Sequence, residues 1–565
     1  MLRGRGSPLT LGAKAGNQGN AMLGLMQDWP LLCHRIIDHA AANHAERPIV
    51  TRSVEGAIHA TNYSQVRARA LQLAQRLERD GIRLGDRVAT LAWNTWRHLE
   101  AWYGIMGIGA IYHTVNPRLF PEQIAWIVNH AGDRVMLVDL TFVPLLEKLE
   151  LPTIERYVVL TDAAHMPQTA LRNAVPYEQW ISEVDGDFAW KTFDENTAAG
   201  MCYTSGTTGN PKGVLYSHRS NVLHGLMANS ADMKGYSSRD VVMPVVPMFH
   251  ANCWAMAFAG PIAGASLVMP GAKLDGASVF ELLDRFKVTC TAGVPTVWLM
   301  LLQHLESTGS KLPHLKKIVI GGSACPRAMV KTLQEVYGVE VIHAWGMTEM
   351  SPLGTACTLK PEHAALAGEA RLDVQQKQGH SPFLVEMKIT DDAGKRLTWD
   401  GSTFGRLKVR GPAVARAYYK DDTRILDQEG FFDTGDVSTI DCHGYMQIVD
   451  RSKDVIKSGG EWISSIDLEN LAVGHPKVAE AAVIGIRHPK WDERPLLVVV
   501  LKKDQSATKD EILAFMRGKI ASWWMPDEVV FVDDIPHTAT GKIQKMELRE
   551  RFRDFVLPTA AAAAR

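Results

Sequence analysis

Between Tyr203 and Gly213 the chain reads YTSGTTGNPKG, which puts one Ser, three Thr, three Gly and one Lys into eleven residues. Glycines let a backbone approach an anion closely, and successive N–H groups can form a nest around phosphate oxygens. The hydroxyls add donors, and Lys212 adds a positive charge. Clusters of Gly, Ser and Thr are also ordinary turn chemistry, so composition alone says only "loop". The usual phosphate fingerprints are missing. No stretch fits the G-x-x-x-x-G-K-[ST] loop; Gly541-Lys542 is followed by Ile543, and five residues before Gly541 stands Pro536. G-x-G-x-x-G is absent too. A P-loop NTPase and a dinucleotide-binding dehydrogenase both lose their signature.

Three further residue groups could act on a phosphorylated substrate. Thr348 and Glu349 stand in AWGMTE, Asp436 in FFDTGD, and Lys542 in TGKIQK. Each has a plain reading when taken alone. Thr-Glu after a turn opens many helices. D-T-G-D is good turn chemistry. A lone Lys near a C-terminus is usually a solvated charge.

The elements that must position these groups alternate along the chain. RVATLAW (87–93), RVMLVD (134–139), YVVLT (157–161), DVVMPVVP (240–247), KIVIGGS (317–323) and EVIHAWG (340–346) read as buried strands. Residues 64–81 carry apolar residues at helical spacing with Gly81 as a stop. Such alternation predicts an α/β fold with mainly parallel sheets joined by right-handed crossovers. From about 383 the texture changes to short alternating strands with Gly turns, a small β-rich subdomain. After 450–462, residues 464–557 hold enough helix and strand pattern for a compact α+β domain. The expected organisation is an extension at 1–21, a large domain at 22–451, a small domain at 452–557 and a disordered tail at 558–565.

Composition bounds the class. The 565 residues are 46% hydrophobic and 22% charged, with 61 Lys+Arg against 62 Asp+Glu and a net charge of -1. That balance gives no global pull towards nucleic acid. Seven scattered cysteines without a C-x-x-C pair argue against a disulfide framework or a structural zinc site, and a reducing cytoplasm fits best. No Asp, Glu, Lys or Arg occurs from Val241 to Ala272, long enough to cross a bilayer. Pro244, Pro247, Pro261 and Pro270 interrupt it, so strand, turn, buried helix and strand is the better reading.

Taken together and in order, YTSGTTGNPKG, AWGMTE, FFDTGD, DRSKDVIKSGGEW (450–462) and TGKIQK resemble the adenylate-forming superfamily of acyl-CoA synthetases, amino-acid adenylation domains and firefly luciferase. The likeness covers essentially 22–555, and SGGEWIS with the MLGLM opening is similar to bacterial medium-chain acyl-CoA ligases and methylmercaptopropionate-activating relatives. The resemblance implies two half-reactions. A carboxylate attacks the α-phosphorus of ATP to give acyl-AMP and pyrophosphate, and CoA thiol then displaces AMP. Thr204, Ser205, Gly206, Thr207, Thr208, Gly209 and Lys212 would hold the outer phosphates; Thr348 would donate to the α-phosphate; Glu349 would ligate Mg²⁺. Trp345 and Gly346 would face adenine opposite Gly322, Ser323 and Ala324, while Asp436 and Arg451 would bind ribose. Many relatives carry Tyr at the Trp345 position, which keeps an aromatic face and leaves the adenine hydrogen bonding open.

The same resemblance makes Lys542 the adenylation lysine and Lys453 a hinge, with Ser458, Gly459, Gly460 and Trp462 lining a CoA tunnel once the small domain has rotated. His537 stands where relatives place Lys or Arg. His250, Trp254, Val294 and Pro295 match pocket-lining segments, with Cys253, Met256 and Trp298 as further walls. Bulky walls imply a short or medium-chain, apolar or aromatic acid. Partners are then the acid, ATP and CoA, with no nucleic acid and no transmembrane segment; assembly as a homodimer is left open. Alternatives sharing the adenylation step are an acid–AMP ligase that loads a carrier protein and a luciferase-like oxygenase.

Overall fold

The computed structural model describes residues 24–204, 210–459, 461–537 and 543–563, with side chains left aside at 461, 462 and 561–563. Four sheets organise them. The first runs, edge to edge, through Val175–Pro176, Arg156–Val159, Val135–Val138, Arg87–Leu91, Ile111–Thr114, Ala198–Tyr203 and Gly213–Ser217. Its pairs are parallel except the last, an antiparallel hairpin. The second has eight strands, in the order Leu353–Ala356, Glu340–Gly346, Lys317–Ile320, Cys290–Gly293, Val241–Pro244, Ser266–Met269, Pro48–Arg52 and Ile58–Asn62, with antiparallel pairs only at its two edges. Strands such as Val135–Val138 and Ser266–Met269 are buried along their whole length, the pattern of a parallel sheet covered on both faces.

One helix shows how the sequence sets a boundary and a contact. Asn62 caps the helix Tyr63–Arg79 by accepting from Gln65 N at 2.9 Å, and Val66, Ala70, Leu73, Ala74 and Leu77 form its buried stripe. Gly81, at φ +86°, turns the chain, and Ile82 N bonds back to Leu77 O at 3.0 Å. The stripe packs on the helix Trp96–Gly107. A β-carbon on Gly104 there would sit 2.5 Å from Leu73 Cδ2, so any side chain at 104 forces the helices apart.

The β-rich region is a four-stranded antiparallel sheet, Glu386–Thr390, Gly405–Arg410, Phe432–Ile440 and Met446–Arg451. The fourth sheet runs Glu461–Ile463, Ile456–Ser458, Asp492–Leu501 and Val478–His488, with Glu528–Phe531 parallel on Asp492–Leu501. Its two faces carry separate apolar clusters, around Leu468 with Ile512 and around Ile535 with Leu548.

The uncharged stretch resolves into the strand Val241–Pro244, the 3-10 turn Ala251–Ala255, the helix Met256–Ala263 and the strand Ser266–Met269. No helix among the described residues is long and apolar enough to cross a membrane. The C-terminal end departs from expectation. Pro558–Ala563, read as disordered, is a helix with Ala560 buried beside Leu557. The alanines that look like low complexity are also the strongest helix formers. The expected extension at 1–21 lies outside the described residues.

Candidate active site

The glycine- and hydroxyl-rich segment is the loop of the hairpin formed by Ala198–Tyr203 and Gly213–Ser217, in register at Tyr203 and Gly213. Two bonds close its stem: Thr204 N donates to Lys212 O at 2.9 Å, and Lys212 N donates to Thr204 Oγ1 at 3.2 Å. His130 Nδ1 lies 2.7 Å from the Tyr203 hydroxyl and pins the stem from the neighbouring helix. Ser205, Gly206, Thr207, Thr208 and Gly209 lie outside the described residues. The Lys212 ammonium sits 4.7 Å from the Tyr418 ring centroid and 3.8 Å from Asp421 Oδ2, with half of its side chain exposed. A half-exposed ion pair at that range is weak. The Lys212 ammonium is therefore held only loosely by Asp421.

Thr348 and Glu349 open a single 3-10 turn, Thr348–Met350, two residues past the strand Glu340–Gly346. Tyr216, on the hairpin, donates its hydroxyl to Thr348 O at 2.8 Å. Tyr418 donates to Glu349 Oε1 at 2.7 Å. The same Tyr418 ring lies under Lys212, so one side chain spaces the cation from the carboxylate. Burial, reinforced by the Glu349 charge, pushes the Tyr418 phenol well above its ordinary value and keeps it a donor. Glu349 is buried and offers a hard oxygen of the kind Mg²⁺ takes when phosphates and waters complete its shell.

Trp345, Asp436 and Arg451 come together from two sheets. Trp345 donates its indole N–H to Asp436 Oδ2 at 2.9 Å, and Arg451 pairs with Asp436 Oδ1 at 2.8 Å. Asp436 and Arg451 are cross-strand partners, and Asp436 is 2% exposed. The indole N–H is thus committed to Asp436. The loop holding Gly322, Ser323 and Ala324 follows the strand Lys317–Ile320, which pairs with Glu340–Gly346. Gly322 has φ +81°, and a β-carbon there would meet Val294 Cγ1 at 3.1 Å and Trp254 Cζ2 at 3.5 Å. At Gly346 a β-carbon would lie 2.1 Å from Pro352 O.

That crowding at Gly322 brings three expected residues together, with Trp254 and Val294 meeting the loop that holds it. Val294 caps the helix Pro295–Thr308, which Pro295 opens with its fixed φ. His250 leads into Ala251–Ala255, whose five residues all have positive φ, and Cys253 and Met256 are fully buried beside Trp254. Trp298 lies on Gly293, next to Val294, where a β-carbon would meet its Cζ2 at 2.7 Å. It belongs to a second apolar cluster with Leu301, Val279 and Ile320, because the helix turns that side chain towards the sheet.

Ser458 ends the strand Ile456–Ser458; Gly459, at φ +61°, donates to Trp491 O at 2.8 Å. Trp462 pairs with Lys457 through the backbone. These residues sit on the fourth sheet, apart from the sheet of Asp436 and Arg451. Lys453 occupies the exposed turn between the two. Across that turn Ser464 Oγ donates to Val449 O at 2.6 Å, and Ser465 N donates to Asp450 Oδ2 at 2.8 Å. Gly460 and Lys542 lie outside the described residues. Tyr418, Tyr216 and Asp421 were not singled out from sequence; the tyrosine pair in ARAYYKD, between a glycine turn and FFDTGD, was the available signal.

The glycine- and hydroxyl-rich hairpin, the Thr348–Glu349 turn and the buried Asp436–Trp345 pair with its exposed Arg451 partner are the parts expected of an adenylate-forming enzyme. The AMP-binding enzyme family model matches residues 37–419, and the AMP-binding enzyme C-terminal domain model matches 467–542. The chain belongs to this family. It is 50% identical over 535 residues to a 3-methylmercaptopropionyl-CoA ligase of Ruegeria lacuscaerulensis, covering 94% of this chain and 99% of the relative. It is 44% identical to a medium-chain-fatty-acid–CoA ligase of Ectopseudomonas oleovorans, covering 96% of this chain and 100% of the relative. The crystal structure of an anthranilate CoA ligase with anthranoyl-AMP aligns at TM-score 0.82 and 26% identity, covering 95% of this chain and 99% of that one.

Proposed function

We propose that this chain is an ATP-dependent acid–CoA ligase acting on short or medium-chain acids, apolar, thioether-bearing or aryl. The relatives at 44–50% identity, all acid–CoA ligases, support the reaction class. The observation that carries the site is Tyr418, which holds Glu349 with its hydroxyl and Lys212 over its ring. In the first half-reaction a carboxylate oxygen bonds to the α-phosphorus of ATP, and the bond to pyrophosphate breaks. Lys212 and the hairpin hydroxyls take the charge growing on pyrophosphate, while Thr348 donates to the α-phosphate. Catalysis here is mainly positioning and charge neutralisation. Mg²⁺, held by Glu349, would supply further charge neutralisation between the phosphates.

Asp436 and Arg451 would hold ribose, with Trp345 against adenine and the acid between Trp254 and Val294. In the second half-reaction the CoA sulfur bonds to the acyl carbon and AMP leaves. The small domain, 452–557, turns about Lys453 to exchange Lys542 for the Gly459–Trp462 segment. Seven unpaired cysteines, six of them buried, suit a reducing cytoplasm. Acid-dependent ATP–pyrophosphate exchange over straight-chain C2 to C16, 3-methylmercaptopropionic and aryl acids tests the reading. Exchange with a subset of short or medium acids is expected, and exchange with none of them refutes it.

A further inference from the structure

Lys234 lies outside every motif, yet it is one of the largest fully enclosed side chains in the protein, 2% exposed. Its ammonium donates to the carbonyl oxygen of Trp254. Enclosing a cation is expensive unless its donors are used, and burial pushes this ammonium down to about 7. The surroundings are His224, which accepts from Leu353 N at 2.9 Å, and Cys253, whose Sγ lies 3.3 Å from Val246 O.

The carbonyl it holds belongs to an unusual piece of backbone. Ala251, Asn252, Cys253, Trp254 and Ala255 have φ of 37°, 55°, 54°, 46° and 66°, a complete left-handed turn without glycine. Each such residue costs about 1–2 kcal/mol, so the turn persists only because its surroundings over-determine it. The anchors come from separate elements. Tyr112 Oη donates to Asn252 Oδ1 at 2.5 Å, and Asn252 Nδ2 donates to Asn221 Oδ1 at 3.2 Å. Cys253 bonds to Val246, and Lys234 holds Trp254. The turn's last anchored residue is the one whose indole reaches the Gly321–Gly322 backbone and shares the space beside Gly322 with Val294.

We propose that Lys234 is a positioning residue for acid selection, which fixes the left-handed turn at Trp254 and thereby sets the depth of the acid pocket. The inference rests on the acid site placed above between Trp254 and Val294. Without the ammonium, the Trp254 carbonyl loses its donor and the turn relaxes. The indole then withdraws from Gly322, and the pocket admits longer acids.

The test is Lys234→Met, which keeps the length of the stem and removes the donor, beside Lys234→Arg, which keeps a cationic donor. Pyrophosphate exchange is measured with straight-chain C3 to C10 acids, and KM for ATP is measured separately. For Lys234→Met the ratio of kcat/KM for the C8 acid to that for the C3 acid should rise at least fivefold, with KM for ATP within twofold. Lys234→Arg should return the ratio towards wild type. A uniform loss over all acids, or an unchanged ratio with a lower Tm, would make Lys234 merely structural and overturn the proposal. If Lys234→Met does not accumulate, Lys234→Gln, with a shorter neutral donor, takes its place under the same criteria. Absence of exchange in the wild type with any acid would instead refute the ligase reading itself.

Discussion

Asp436→Asn is the sharpest probe of the nucleotide site. The carboxylate is almost fully enclosed and accepts from Trp345 Nε1 at 2.9 Å and from Arg451 Nε at 2.8 Å. Asparagine keeps the shape, removes the charge and turns one acceptor oxygen into a donor. Hydrogen bonds to charged groups are worth about 1.5–3 kcal/mol and neutral ones about 0.5–1.5. Two ribose hydroxyls bonded to Asp436 would therefore lose about 1 kcal/mol each, about 2 kcal/mol together. At 1.4 kcal/mol per decade that is roughly a 30-fold rise in KM for ATP. The assay is pyrophosphate exchange at saturating acid, with ATP and 2′-deoxy-ATP compared in both proteins. KM for the acid should stay within twofold, and the variant should discriminate less between the two nucleotides. Equal discrimination by wild type and variant would refute ribose contact by this carboxylate.

Further outcomes follow from other contacts. Tyr418→Phe removes the hydroxyl donor to Glu349 while leaving the ring under Lys212. The lost bond of about 1.5 kcal/mol should slow exchange roughly tenfold and change the Mg²⁺ concentration for half-maximal rate; an unaltered Mg²⁺ profile would separate Tyr418 from the metal. His98 and His343 are buried neutral, each pushed down to about 4 by desolvation, and His218 and His224 to about 3 by the same cause. Unfolding frees them to titrate near 6.5, so stability is fully present above that pH. It falls by up to about 1.4 kcal/mol per pH unit per histidine as pH drops towards the folded values. Tm should decline steeply from pH 6.5 to 5 with proton uptake on unfolding, and a flat Tm there would contradict it. Six cysteines are buried and Cys442 is exposed. A thiol reagent should consume one equivalent quickly and the rest only on unfolding.

The parts of this site that could be read from sequence are those carried by local order. YTSGTTGNPKG announces a polar hairpin loop, and six apolar runs announce strands that all appear, because a strand in a covered parallel sheet must be apolar on both faces. Contacts that depend on distant pairing were not legible. Tyr418 meets Glu349 across 69 residues, and nothing around either one signals the other. Lys234, in ADMKGY after a helix, reads as a solvated loop charge and proves buried. The left-handed turn at Ala251–Ala255 carries no glycine to mark it, since its conformation is imposed by anchors from other elements.

The central claim is that acid activation proceeds through AMP and ends on CoA. It is tested most directly by incubating the protein with ATP, Mg²⁺, CoA and an accepted acid and quantifying every product. The account predicts AMP, pyrophosphate and acyl-CoA in equal amounts, with acyl-AMP accumulating when CoA is withheld. Formation of ADP and phosphate, or thioester without prior acyl-AMP, would contradict it.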